Sequence, residues 1–196
     1  MASNLDEQEL VKRLQNQDEA AFAILVRTYQ APIFRLAFRM LRDRGEAEEL
    51  SQEVFITAYT KIGMFRGDSK LKTWLYRVAT NQCINRIHYL NRRGRKSKSE
   101  YIDGYSKSAQ SGDTDGPDAH LAGNQLQTHL EKAISMLSDE HRTLIILRDI
   151  EGMPYDEIQD VTELELGTIK SRLHRARSSL RSYLTELENP NKGVTE

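Results

Sequence analysis

Apolar residues along the chain recur at spacings of three and four, and no stretch alternates as a strand would. Leu10 and Leu14, then Phe22, Leu25, Val26 and Tyr29 after Asp18, predict two short helices. Ile33, Leu36, Ala37, Met40 and Leu41 carry one face onward after Pro32. Leu50, Val54, Ala58 and Ile62 form a further stripe, and Leu71, Trp74, Leu75, Val78, Ile84 and Ile87 another. Between Ser97 and Asn124 this spacing stops. The stretch is rich in Ser and Gly, and its acids (Glu100, Asp103, Asp113, Asp115, Asp118) exceed its bases (Lys98, Lys107). That composition predicts a flexible linker. Helical spacing returns near Leu126 and continues to about Leu187. The pattern therefore predicts an all-α chain of two small helical domains. These are residues 1–96 and 125–187, joined by an acidic linker over 97–124 and followed by a disordered tail over 188–196.

Charge refines this picture. The 196 residues hold 28 Lys and Arg against 29 Asp and Glu, a formal net charge of −1. A uniformly basic coat is excluded, so any nucleic-acid surface must come from local segregation. Such segregation is sharp near the C-terminus. Between Asp149 and Gly167 stand seven acids (Asp149, Glu151, Asp156, Glu157, Asp160, Glu163, Glu165) and no Lys or Arg. Between Thr168 and Leu184 stand five bases (Lys170, Arg172, Arg175, Arg177, Arg181) and no acid. Ile169, Leu173, Ala176 and Leu180 fall on one buried stripe of a helix, with the bases around the rest. Upstream, Pro154 precedes a short helix from Tyr155 to Val161 with Ile158 and Val161 inward, and Thr162–Leu166 form the turn. This is a helix-turn-helix pattern. Thr168 and Ser171 sit in the first turn of its second helix, where side chains reach base edges, and Arg can bond guanine bidentately. Charge alone also fits an ordinary basic amphipathic helix on an acidic hairpin.

Three further segments carry chemistry. Glu46, Glu49 and Glu53 share the outer face of a helix whose inner face is Ala47, Leu50, Val54 and Ala58; as a bare pattern this is a solvated acidic face. Phe65-Arg66-Gly67-Asp68-Ser69-Lys70 predicts a loop. From Arg86 to Lys98 there are six bases and no acid (Arg86, Arg92, Arg93, Arg95, Lys96, Lys98), a second electrostatic footprint. Trp74 lies on an apolar stripe and is expected in the core.

The run Gly167-Thr168-Ile169-Lys170-Ser171-Arg172-Leu173-His174-Arg175-Ala176-Arg177 resembles the recognition-helix signature of bacterial sigma factors of the extracytoplasmic-function class. The preceding LRDIEGMPYDEIQDV is similar to that family's region 4 lead-in. The resemblance implies that Lys170, Ser171, Arg172, His174 and Arg175 read the −35 promoter element, with Thr168 and Arg177 beside them. Glu163 stands where the family usually has a turn glycine, so the turn is expected to be remodelled or the domain less stable. Glu46 to Phe55 resembles region 2.2, which docks on the β′ clamp helices of RNA polymerase; this implies Glu49, Leu50, Gln52, Glu53 and Phe55 as the polymerase interface. Phe65 to Asn81 is similar to regions 2.3 and 2.4, which read the −10 element. By that likeness Arg66, Asp68, Ser69 and Lys70 supply a polar pocket for the opened strand. Lys72 and Arg77 supply phosphate contacts, and Arg86, Arg92 and Arg93 extend the surface. The implied fold is a region 2 bundle and a region 4 helix-turn-helix. The implied partners are core RNA polymerase, promoter DNA as duplex and single strand, and an anti-sigma factor, often membrane-anchored.

No HExxH, Gly-rich phosphate loop or GxSxG occurs, and the five His show no metal spacing. No catalysis, metal or cofactor is expected. The single cysteine, Cys83, excludes an internal disulfide and fits a reducing compartment. The N-terminus lacks the apolar core of a secretory signal, and Leu144–Leu147 falls far short of the ~20 residues of a membrane span. A cytoplasmic protein without membrane insertion is expected. Two rivals stay open: a helix-turn-helix regulator without sigma activity, and an adaptor that sequesters polymerase.

Overall fold

The computed structural model describes residues 2–100 and 121–188. Every regular element among them is helical, as the spacing predicts. The first helix, α1, spans Ala2–Gln15. Asp18 then ends one helix and starts another: its carboxylate accepts from Arg13 Nε at 2.8 Å and from the amides of Ala20 (2.9 Å) and Ala21 (3.1 Å). It satisfies amides that the first turn of a helix leaves without partners. The next helix is not short. α2 spans Glu19–Leu41 and runs straight through Pro32. An interior proline costs about 3 kcal/mol. Burial of Leu25, Ile33, Leu36 and Met40, each at 1% exposure or less, offsets it at roughly 1.5–3 kcal/mol per side chain.

Asp43 caps α3 (Arg44–Lys61) by accepting from the Glu46 amide at 2.9 Å. A 3₁₀ turn at Ile62–Met64 and an irregular loop lead into α4, Leu71–Glu100. Leu50, Val54, Leu75, Ala79 and Cys83 close the core of this first bundle at 0% exposure. Burial pushes the Cys83 thiol up to about 12, so it is an inert core residue, as expected.

The second bundle holds α5 (Leu121–Met136), α6 (Asp139–Ile145) running on through a π turn to Ile150, α7 (Tyr155–Thr162) and α8 (Leu166–Glu188). α7 and α8 are the expected helix-turn-helix, with Ile158, Val161, Ile169, Leu173 and Ala176 buried. Of the two expectations at Glu163, the structure removes the remodelled turn. The turn keeps its left-handed residue, with Glu163 at φ 58° and its N–H donating to Gln159 O at 2.8 Å. The glutamate adopts the conformation glycine favours, at about 1 kcal/mol or more.

Among the described residues Arg142 is the most deeply placed charge, 8% exposed. Its guanidinium donates to the carbonyls of Leu137 (2.8 Å), Ser135 (3.2 Å) and Ile134 (3.4 Å) at the end of α5, to Asp139 (3.1 Å), and to Met40 O (3.2 Å) of α2. Burial lowers its pKa, with Asp139 opposing. The bond to Met40 belongs to a wider contact: α6 meets α2, and α7 lies along α4. The sequence predicts two tethered bundles; the structure packs them together. Helix also reaches four residues into each end of the predicted linker 97–124, to Glu100 and from Leu121. The rest of that linker, 101–120, and the tail beyond Glu188 lie outside the described residues. Among the described residues no helix is long and apolar enough to cross a membrane, and no His, Cys, Asp or Glu group could hold a metal ion.

Candidate nucleic-acid interface

α8 buries Ile169, Leu173 and Ala176, and this stripe decides which polar residues point outward. Lys170, Ser171, His174, Arg175 and Arg177 are exposed, and Thr168 and Arg172 are half-buried. The predicted −35 readers therefore cover the helix outside its buried stripe, but two of the arginines are already engaged. Arg172 pairs with Glu140 at 2.9 Å. Arg177 makes a two-pronged bond to Asp149, at 2.6 and 3.0 Å, and this bond holds its pKa above the ordinary value. Lys170 Nζ lies 5.9 Å from the Tyr155 ring centroid, a cation–π contact that anchors it over α7. Of the three arginines among the predicted readers, Arg175 is the one without such a tether, and Arg181 further along α8 is exposed as well.

The loop before α4 is held from below by α1, which the sequence reading assigned no part in the site. Gln15 Nε2 donates to Phe65 O at 2.9 Å, and the Glu7 carboxylate accepts from the Leu71 amide at 2.9 Å, capping α4 from another helix. Phe65 is buried and tilts against Trp74, ring centroids 5.4 Å apart. Trp74 is thus half-buried against the core, on the side where its apolar stripe puts it. Gly67, at φ 80°, supplies a turn that favours glycine, and Arg66 and Asp68 flank it exposed, with Ser69 half-buried. Lys70 and Arg77 are exposed on the same side, and Lys72 sits 5.3 Å from the Tyr76 ring. Arg92 and Arg93 are exposed further along α4.

Arg86 departs from the expectation that it extends this surface. It turns toward α3 and bonds Glu46 (2.6 Å), Glu53 (2.7 Å) and Glu49 (3.3 Å), leaving its side chain 17% exposed. Burial alone would lower its pKa; the bonds to Glu46 and Glu53 outweigh that and raise it. Its charge is spent within the bundle. The predicted polymerase face changes too. Leu50 (0%) and Phe55 (8%) are core and offer nothing to a partner. Glu49 and Gln52 are exposed and Glu53 half-exposed, and they are joined by Ile56, 65% exposed, which the sequence reading passed over. The signal was available: Ile56 is one helical turn beyond Gln52 and off the buried stripe of Leu50, Val54 and Ala58.

The matches to known proteins fall on these two bundles. The family model for sigma-70 region 2 matches residues 25–94, and that for sigma-70 region 4 matches residues 128–180. The RNA polymerase sigma-H factor of Pseudomonas aeruginosa is 34% identical over 192 residues, covering 95% of this chain and 98% of that protein. The ECF RNA polymerase sigma factor SigW of Bacillus subtilis is 36% identical over 186 residues, covering 90% and 96%. Among solved structures, the sigma factor RpoE of Bartonella quintana, in complex with the anti-sigma factor NepR, is similar at a TM-score of 0.65 and 27% identity. That match covers 84% of this chain and 96% of that one.

Proposed function

The chain belongs to the ECF sigma factors of the sigma-70 family, and on that premise we propose that it is an alternative sigma factor directing promoter-specific initiation by core RNA polymerase. The observation that carries this reading is the pairing, in one chain, of a helix-turn-helix with an exposed basic face and a separate bundle bearing both an acidic face and a basic loop. Residues 1–96 act as region 2 and 125–187 as region 4, with 97–124 between them and 188–196 as a tail. In region 4, Thr168, Lys170, Ser171, His174 and Arg175 read the −35 duplex. A base-directed arginine is worth about 1–3 kcal/mol of discrimination. Arg172 and Arg177 join them only by exchanging a carboxylate for DNA.

In region 2, Arg66, Asp68, Ser69 and Lys70 line the loop that receives the opened −10 strand. Lys72, Arg77, Arg92 and Arg93 track its phosphates, since a single strand needs cations along its backbone and polar groups for unpaired base edges. Glu49, Gln52 and Glu53, with Ile56 at their centre, face the β′ clamp helices. Carboxylates there set orientation and association rate more than affinity. The bonds from Arg86 hold the row in place. The relatives are named as sigma factors rather than enzymes, and the bond-making chemistry of initiation belongs to the polymerase. The chain works in the cytoplasm, where an anti-sigma factor restrains it, as the solved RpoE–NepR complex illustrates for another member.

In-vitro transcription tests the reading. Purified chain added to core polymerase should start transcripts at discrete sites on bacterial genomic DNA, and polymerase alone should not. Duplex binding without initiation would instead point to a regulator. Co-elution with polymerase without initiation would point to a sequestering adaptor.

A further inference from the structure

Cations from α6 and α8 gather around one aromatic ring at the start of α7. Gly152, at φ 68°, turns the chain, Met153 is buried, and Pro154 leads in with an extended backbone. Tyr155 therefore opens α7 with its side chain half-buried. Arg148 Nη1 donates to Met153 O at 2.8 Å, and the same guanidinium lies 4.6 Å from the Tyr155 ring centroid. The bond to a backbone carbonyl pins this cation against the ring. From α8, the Lys170 ammonium lies 5.9 Å from the same centroid. Arg177 stands beside it too: Asp149 is the main cause of its raised pKa, and Tyr155 adds to the rise. Lys170 and Arg177 are seven residues apart, about 10 Å along one side of α8. The tethers on α8 differ in kind. Arg172 and Arg177 are held by the carboxylates of Glu140 and Asp149, which compete with DNA for the same guanidinium donors. The Tyr155 ring attracts the Lys170 charge through the negative face of its π system and carries no charge of its own. It neither repels phosphate nor uses up the ammonium's three N–H donors.

We propose that Tyr155 is a positioning residue for −35 recognition: its ring holds the Lys170 ammonium at the place where it meets the duplex. This rests on the reading of Lys170 as a −35 reader and adds the residue that aims it. A lysine swings on a flexible four-carbon stem, and ordering that stem weakens any bond it makes to DNA. An ammonium already held over a ring has lost much of that freedom before the duplex arrives. Arg148 keeps the ring in place, so the lysine is aimed by a fixed surface. A cation–π contact at an exposed site corresponds to about two- to fivefold in an equilibrium constant, which sets the size of the expected effect.

The test uses the full-length chain and the duplex that the parent selects from a pool of randomised duplexes, with binding read by anisotropy. Tyr155→Phe keeps the ring and its quadrupole. A trifluorinated phenylalanine at the same position keeps the ring's shape and nearly cancels the negative charge of its face. The Tyr155→Phe chain should bind within about twofold of the parent. The fluorinated chain should bind about two- to fivefold more weakly than Tyr155→Phe, at the same melting temperature. Lys170→Met should then cost the Tyr155→Phe chain about two- to fivefold more than it costs the fluorinated one, while Arg175→Ala costs both alike. Equal affinity of the Tyr155→Phe and fluorinated chains, or a Lys170→Met loss of one size in both, would overturn the proposal and leave Lys170 a reader. A Lys170→Met change without effect in either chain, or a parent that selects no duplex, would end the reading of Lys170 and the proposal with it.

Discussion

Replacing Arg142 with methionine isolates the contribution of one buried charge. Methionine keeps the apolar stem and removes every donor. Left behind are the carbonyls of Ile134, Ser135 and Leu137 at the end of α5 and Met40 O of α2, all of which now take bonds from the guanidinium at 2.8–3.4 Å. A bond from a charged donor contributes about 1.5–3 kcal/mol net. Four such bonds from one group do not add, because losing the guanidinium also removes its desolvation penalty, and water reaches some of the carbonyls. The expected loss is about 2–3 kcal/mol, or roughly 10–20 °C in melting temperature for a bundle of this size. Urea and thermal melts followed by circular dichroism measure it. The only tryptophan, Trp74, lies in the first bundle, so its fluorescence reports that bundle alone. The dichroism transition should shift further than the fluorescence transition. Arg142→Lys should fall between parent and Arg142→Met, since an ammonium reaches fewer of these carbonyls. A loss under about 0.5 kcal/mol for Arg142→Met would refute the reasoning, because it would mean that the α5 terminus needs no donor from α6.

Arg175→Ala should weaken binding of the promoter duplex by about 1–3 kcal/mol in anisotropy titrations. Arg177→Ala should weaken it by clearly less, since Asp149 already holds that side chain; equal losses would show that the tether gives way on DNA. The Asp18 carboxyl is held below its ordinary 3.8 by its bond from Arg13 and by the amides of α2. A depressed carboxylate stabilises the fold above its unfolded pKa, and that stabilisation is lost as pH falls through the folded value. Parent should therefore melt above Asp18→Asn at pH 6, the difference fading as pH drops below about 4, read by melting temperature across a pH series. Cys83 should resist thiol reagents at pH 8 in the native chain and react at once in urea, given its burial and a pKa near 12.

Much of this molecule can be read from local spacing. The all-helical class, the helix-turn-helix and its buried stripe follow from residues three and four apart, and the opposite charges of α7 and α8 are already separate in the chain. A helix places its own neighbours, so such features need no knowledge of the fold. What the sequence could not decide is where a long side chain spends its charge. Arg86 belongs to a basic run, yet α3, more than thirty residues upstream, claims it with three carboxylates. Leu50 and Phe55 stand in a segment resembling a docking site, yet packing turns both inward and leaves Ile56 outside. Pro32 looks like a break, and core contacts carry the helix past it. The acids of the second bundle meet Lys70, Thr73 and Arg77 across more than eighty positions of chain. Periodicity is set by backbone geometry within a turn or two; partners distant in sequence are chosen only when bundles pack and each buried charge takes the nearest group that can satisfy it.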